Sequence, residues 1–238
     1  VWMRFRGIKF EIPAGTMVPG LFAGLFFVAE FVCLFIALDM TTVSRASVIF
    51  YSMPVHLSIA AHFFIPSERL TPLRILGLGL AMAGVIWVMS DRSNGEASLL
   101  GDLLALMAAF GWAAIALTVK ITPLSKVKPE LQLFWQLVVS APVLLLLAPL
   151  FGDLLRDPQP YHFVGLIFQI FAVASFGFLF WFFLMTIYPA SDVASFSFLS
   201  PVFSVMLGWL ILGEHIGVEV IGGLVLVAVG LVLINRKR

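Results

Sequence analysis

Eight stretches of this chain, at about 17–38, 42–64, 73–90, 99–119, 131–151, 163–185, 193–212 and 216–234, are almost wholly apolar. A helix needs about 20 apolar residues to cross the hydrocarbon of a bilayer, and each run is near that length. In lipid every backbone N–H and C=O must find a partner, and a continuous apolar run of this length meets that demand as a helix. The connections are short and leave no room for a soluble domain. The sequence therefore predicts an all-α polytopic membrane protein whose first partner is the lipid bilayer. Composition agrees. Of the 238 residues 61% are hydrophobic and only 11% charged, where globular domains average nearer half and a quarter. A net charge of +1 offers no hold on nucleic acid. The single cysteine, Cys33, can form no internal disulfide and reads as a small buried residue.

The breaks carry helix-start chemistry. Thr71-Pro72 supplies a cap and a first-turn proline for the third helix, and Lys128-Pro129-Glu130 opens the fifth in the same way. Lysine and arginine give the orientation, because short cytoplasmic loops hold most of them. With the C-terminus inside, the inner segments hold Arg4, Arg6, Lys9, Arg69, Arg74, Lys120, Lys126, Lys128, Arg236, Lys237 and Arg238; the outer ones hold Arg45, Arg92 and Arg156. Both ends are thus expected in the cytoplasm, with a bacterial inner membrane as the location.

Two parts of the chain share one outline. Pro54 aligns with Pro201 and Ser44 with Ser191; after a one-residue gap Glu68 aligns with Glu214, Gly77 with Gly223 and Gly84 with Gly230. Each copy has a helix with an internal proline, an acidic turn, and a helix with glycines seven apart. Seven residues is almost two turns, so both glycines face one way and admit a close neighbour. The charge count puts the Glu68 turn inside and the Glu214 turn outside, so the copies run in opposite directions, as in inverted-repeat transporters. The stretches SMPVHLSIAAHFFIPSERLTPLRILGLGLAMAGVIWV and SPVFSVMLGWLILGEHIGVEVIGGLVLVAVGLVLI resemble the fourth-plus-fifth and ninth-plus-tenth helices of the drug/metabolite transporter superfamily, EamA type. The resemblance implies an inverted-repeat helical bundle of ten helices in two halves of five. Eight are visible here: three in a first repeat at 1–95 and five in a second at 96–238. It also implies two further helices ahead of residue 17.

Polar residues inside the apolar runs are the candidate site. Glu30 stands mid-run in FFVAEFVCLF, where a charge costs at least about 2.5–3.5 kcal/mol on insertion scales. It reads either as a carboxylate that binds substrate or a coupling proton, or as a structural hydrogen-bonding group toward a neighbour such as Tyr51 or His62. His62 shares an arc of roughly 80° with Ser44, Ser47, Tyr51, Pro54 and Ser58 if 42–64 is one helix. Such a stripe lines a cavity or bonds another helix. His56 lies off it and reads as an isolated packing residue. The two histidines point about 120° apart, too far to share one metal from this helix, so no metal is expected. Ser197, Ser200 and Ser204 form the second half's polar arc beside Pro201. The two prolines free backbone carbonyls, which suits a kink around a cavity or a plain packing kink. Gln132, Gln136 and Gln169 are milder candidates. The ladder Gly101, Ala105, Ala109, Ala113 permits tight packing. Trp112 follows it, and the resemblance implies a place near the central cavity. Lys120 reads as an anchor reaching out of the membrane. Glu68 and Glu214 read as structural or gating acids, favoured by the N-terminus of the helix that follows each.

A secondary transporter fits these features, reading as an exporter of small metabolites or amino-acid-like compounds by alternating access, with a small-molecule substrate, a proton as candidate coupling ion, a homodimer as candidate assembly and no cofactor. A lipid-linked-precursor flippase of the same fold is the alternative. A membrane-embedded enzyme would need a catalytic constellation; neither H-E-x-x-H, G-x-S-x-G nor a G-x-x-x-x-G-K-[ST] phosphate loop occurs.

Overall fold

The structure, a computed structural model, describes residues 12–90, 98–153, 157–177, 180 and 199–235. Ser191, Ser197, Arg4, Arg6, Lys9, Arg92, Arg156, Arg236, Lys237, Arg238 and the expected boundary at 95/96 lie outside these residues. The described chain is helical throughout. Its elements are α1 (Met17–Met40), α2 (Val43–Phe50), α3 (Met53–Phe64), α4 (Pro72–Ser90), α5 (Leu99–Ile121), α6 (Pro129–Leu147), α7 (Pro160–Phe168), α8 (Leu199–Leu212) and α9 (Val218–Asn235). The widened π-helical stretch Gln169–Gly177 continues α7. Among the described residues six spans are long and apolar enough to cross a membrane, and α8 and α9 are shorter apolar helices. Large apolar side chains point outward all round, Phe63 at 76% and Leu146 at 79% exposure. In water that surface would be untenable; in lipid it is the expected one. The protein is a multi-pass membrane protein.

The expected single helix over 42–64 is two helices. Proline has no N–H to give to Phe50, and its ring crowds that carbonyl. The chain therefore closes α2 with a turn at Tyr51-Ser52, where Ser52 N donates to Ile49 O at 3.0 Å, and starts α3 with Pro54 in its first turn. The kink expected at Pro54 is thus a break, and the arc drawn for one continuous helix does not hold across it.

The core is built by small residues. An added Cβ on Gly77 would lie 2.7 Å from the carbonyl oxygen of Gly230, and one on Gly84 2.6 Å from that of Gly223. Reciprocally, Gly223 faces the Gly84 carbonyl and Gly230 the Gly77 carbonyl. Helices α4 and α9 therefore cross backbone to backbone, and swapping each glycine for its aligned partner returns the same two contacts. Val85, Val88, Val227 and Leu231 close over this crossing. Helix α1 packs on α5 and α6. The ladder expected on α5 does this: Ala105 and Ala109 are fully buried, and Gly101 sits against Met40. The sequence reading overlooked Gly20 and Gly24, one turn apart on α1, which receive Trp135 and Val139 of α6.

Candidate functional site

Glu30 is buried, 5% exposed, in the middle of α1. It lies against Gly111 of α5, where an added Cβ would come within 3.1 Å of the Glu30 Cβ. Among the described residues its Oε2 has no hydrogen-bond partner. The neighbours suggested by sequence are engaged elsewhere. Tyr51 closes α2, which packs on α8, and lies near the Ser200 side chain there, and His62 Nδ1 accepts from Leu70 N at 3.2 Å, tying α3 to its own following turn. The first-half stripe therefore meets the second-half serines at Tyr51 and Ser200, and His62 leaves it. Ser58, Trp112 and Gln136 are half-buried on α3, α5 and α6, and Pro201 is fully buried near the start of α8. His56 is buried but not isolated: its Nε2 is 3.1 Å from Ser52 Oγ, and its ring stacks on Phe110 at 3.9 Å. Gln132 donates to Leu124 O and Val127 O, fastening the turn before α6. Gln169 is exposed.

The two acidic turns act on partners other than those expected. Glu214 accepts hydrogen bonds from Val43 N (2.6 Å), Ser44 N (3.0 Å) and Ser44 Oγ. The carboxylate does sit at a helix N-terminus, but at that of α2, far off in the sequence, rather than α9. Glu68 receives Lys120 Nζ on both oxygens, at 2.7 and 3.0 Å. Lys120 is thus paired with a neighbouring turn, and both partners are well exposed.

The sequence reading missed a buried ion pair. Arg45 had been placed among the outer charges, yet it lies within α2, 4% exposed, with Nη2 2.8 Å from Asp102 Oδ2. Asp102 is fully buried and also accepts from Thr41 Oγ1 at 3.0 Å. A signal existed: a charge inside a spanning run needs a partner, and these two opposite charges stand at the same end of their runs. Glu214, Arg45, Asp102 and Thr41 mark one end of the bundle, Glu68 and Lys120 the other.

The pattern of the EamA-like transporter family matches residues 2–90 and 99–236. The chain belongs to that family. It is 25% identical over 190 residues to an uncharacterized transporter, YoaV, of Bacillus subtilis, covering 79% of this chain and 64% of that one. It is 28% identical over 205 residues to a second from the same organism, YvbV, covering 85% and 66%. A probable amino-acid metabolite efflux pump of Salmonella typhimurium is 25% identical over 214 residues, covering 85% and 71%. The chain thus spans about two thirds of the length of these relatives. No solved structure matches it.

Proposed function

We propose that this chain forms most of a secondary transporter that exports a small, amine-bearing metabolite by alternating access, with Glu30 as its loading carboxylate. The observation that carries the reading is the burial of Glu30 mid-membrane with an oxygen that no described group satisfies. A buried polar atom without a partner costs on the order of 1–3 kcal/mol. A transported proton or substrate ammonium is the partner that would offset that cost during the cycle. The two family matches and the reciprocal α4–α9 crossing support two inverted repeats, about 1–95 and 96–238, whose rocking would expose Glu30 to either side. The name of the Salmonella relative supports an amino-acid-like cargo moving outward. Tyr51, Ser58, Trp112, Gln136 and the serines about Ser197 and Ser200 would complete the substrate's surroundings.

The test is Glu30→Gln in proteoliposomes, with a panel of radiolabelled amino acids and an imposed pH gradient. The expected result is normal insertion, gradient-driven transport down at least tenfold, and exchange retained if the carboxyl carries the proton. If it holds the substrate amine, affinity falls instead. Wild-type transport with unchanged pH dependence would return Glu30 to a structural role.

A further inference from the structure

The two carboxylates that the repeat aligns, Glu214 and Glu68, are held in opposite ways. Glu214 reaches from the second half into the first and satisfies the opening N–H groups of α2. Those N–H groups have no partner within their own helix, and an anion there is favoured by the helix dipole. The contact is enclosed on one side: Ser44 is 1% exposed and Gly208 beside it is buried, while Glu214 itself is half-buried. A Cβ on Gly208 would come within 2.6 Å of Glu214 Oε2 and 2.7 Å of Ser44 Oγ. One residue on, Arg45 ties the same short helix to Asp102 of α5. At the other end, among the described residues, Glu68 is paired with the exposed Lys120. Solvent screens an exposed pair and leaves it weak, whereas hydrogen bonds to a carboxylate from the N–H groups of a helix start are among the stronger ones. One end of the bundle is therefore firmly fastened and the other weakly.

Helix α2 is also separable. It is eight residues long and is divided from α3 by the turn at Tyr51-Ser52. A swing of α2 about that turn would unwind no spanning helix, with the Arg45–Asp102 pair as its remaining tie to α5.

We infer that the Glu214 carboxylate is a latch that closes its end of the transporter by gripping the N-terminus of α2, and that opening this end requires its release. The inference rests on the alternating-access reading and assigns the element that moves. Glu68–Lys120 is the weaker fastening at the opposite end. The state described here is latched at the Glu214 end.

The variants are chosen to separate a latch from a merely structural cap. Glu214→Gln keeps the shape but turns an amide N–H₂ toward a backbone N–H and removes the charge. Ser44→Ala removes one of the three bonds. Both are made in a Cys33→Ala background with Ser58→Cys on α3 as reporter. The measurement is the rate of modification by a membrane-impermeant methanethiosulfonate ammonium reagent, in vesicles of each orientation. From the Glu214 side the rate should rise at least fivefold with Glu214→Gln and about twofold with Ser44→Ala, with no rise from the Lys120 side. An equal rise from both sides would mean general loosening and overturn the latch. So would an unchanged rate in protein that runs as a single species on gel filtration, or a reporter unreactive from both sides in every variant. Because no substrate is needed, one-sided opening in these variants together with failed transport by the unsubstituted chain would overturn the transport reading and leave the latch standing.

Discussion

The crossing of α4 over α9 gives a sharp test in two alanines on one helix. In Gly84→Ala the new methyl would lie 2.6 Å from Gly223 O, 2.9 Å from Leu226 Cβ and 3.2 Å from Val227 Cγ2. The nearest atom is backbone and cannot rotate away, so reaching ordinary contact at 3.4 Å takes a separation of about 0.8 Å. Overpacking of this kind costs about 1–3 kcal/mol. Alanine returns up to about 1 kcal/mol through its higher helix propensity. A backbone contact this close puts the cost in the upper half of that range, so the net loss is about 1–2 kcal/mol, and at about 2–4 °C per kcal/mol for a chain of this size the melting temperature falls by several degrees. Gly79→Ala, on the same helix, meets nothing within 4 Å. It keeps the propensity gain without the clash and should melt at or slightly above the wild type. Thermal unfolding in detergent, followed by tryptophan fluorescence, compares the two. Adding Gly223→Ala to Gly84→Ala should cost less than either alone, since one separation relieves both contacts. Equal melting temperatures for Gly84→Ala and Gly79→Ala would refute the close crossing.

The buried and exposed ion pairs should behave differently. Asp102→Ala removes the buried carboxylate that accepts from Arg45 and Thr41 and should destabilise by about 3–5 kcal/mol, while Lys120→Met should change stability by less than about 1 kcal/mol; chemical denaturation of the two side by side checks the contrast. For topology, a cysteine introduced at Lys126 should be labelled only from the cytoplasm and one at Asp157 only from outside. Labelling of the Lys126→Cys variant by an external reagent would reverse the assigned orientation.

Length and hydropathy made the spans legible, because lipid imposes a rule that can be read one segment at a time. The glycine crossing was legible for a related reason. Gly77, Gly84, Gly223 and Gly230 repeat at a fixed spacing, and a residue without a side chain marks a close approach wherever it faces another helix. Glu30 stood out by contrast with its surroundings, and it is indeed buried. Partner identity was not legible. Glu214 grips α2, and Asp102 holds Arg45, through pairings set by how helices assemble rather than by neighbouring positions in the chain. Nor was the division of 42–64 anticipated, although Pro54 carries its cause: a missing N–H can bend a helix or end it, and tertiary packing decides which. The stripe through Tyr51 and His62 split for that reason, one residue turning to Ser200 and the other to Leu70.

The grip of Glu214 on α2 also has a consequence in time. Val43 N and Glu214 are separated by 171 positions in the chain, and Gly77 must wait nearly as long for Gly230. At about 5–20 residues per second of synthesis, α2 and the glycine face of α4 spend roughly 10–30 s in the bilayer before their partners exist. Through that interval the ribosome-bound intermediate carries an α2 start without its carboxylate and a bare groove on α4. Its survival depends on how quickly the α8–α9 hairpin is inserted, since that hairpin brings both partners at once.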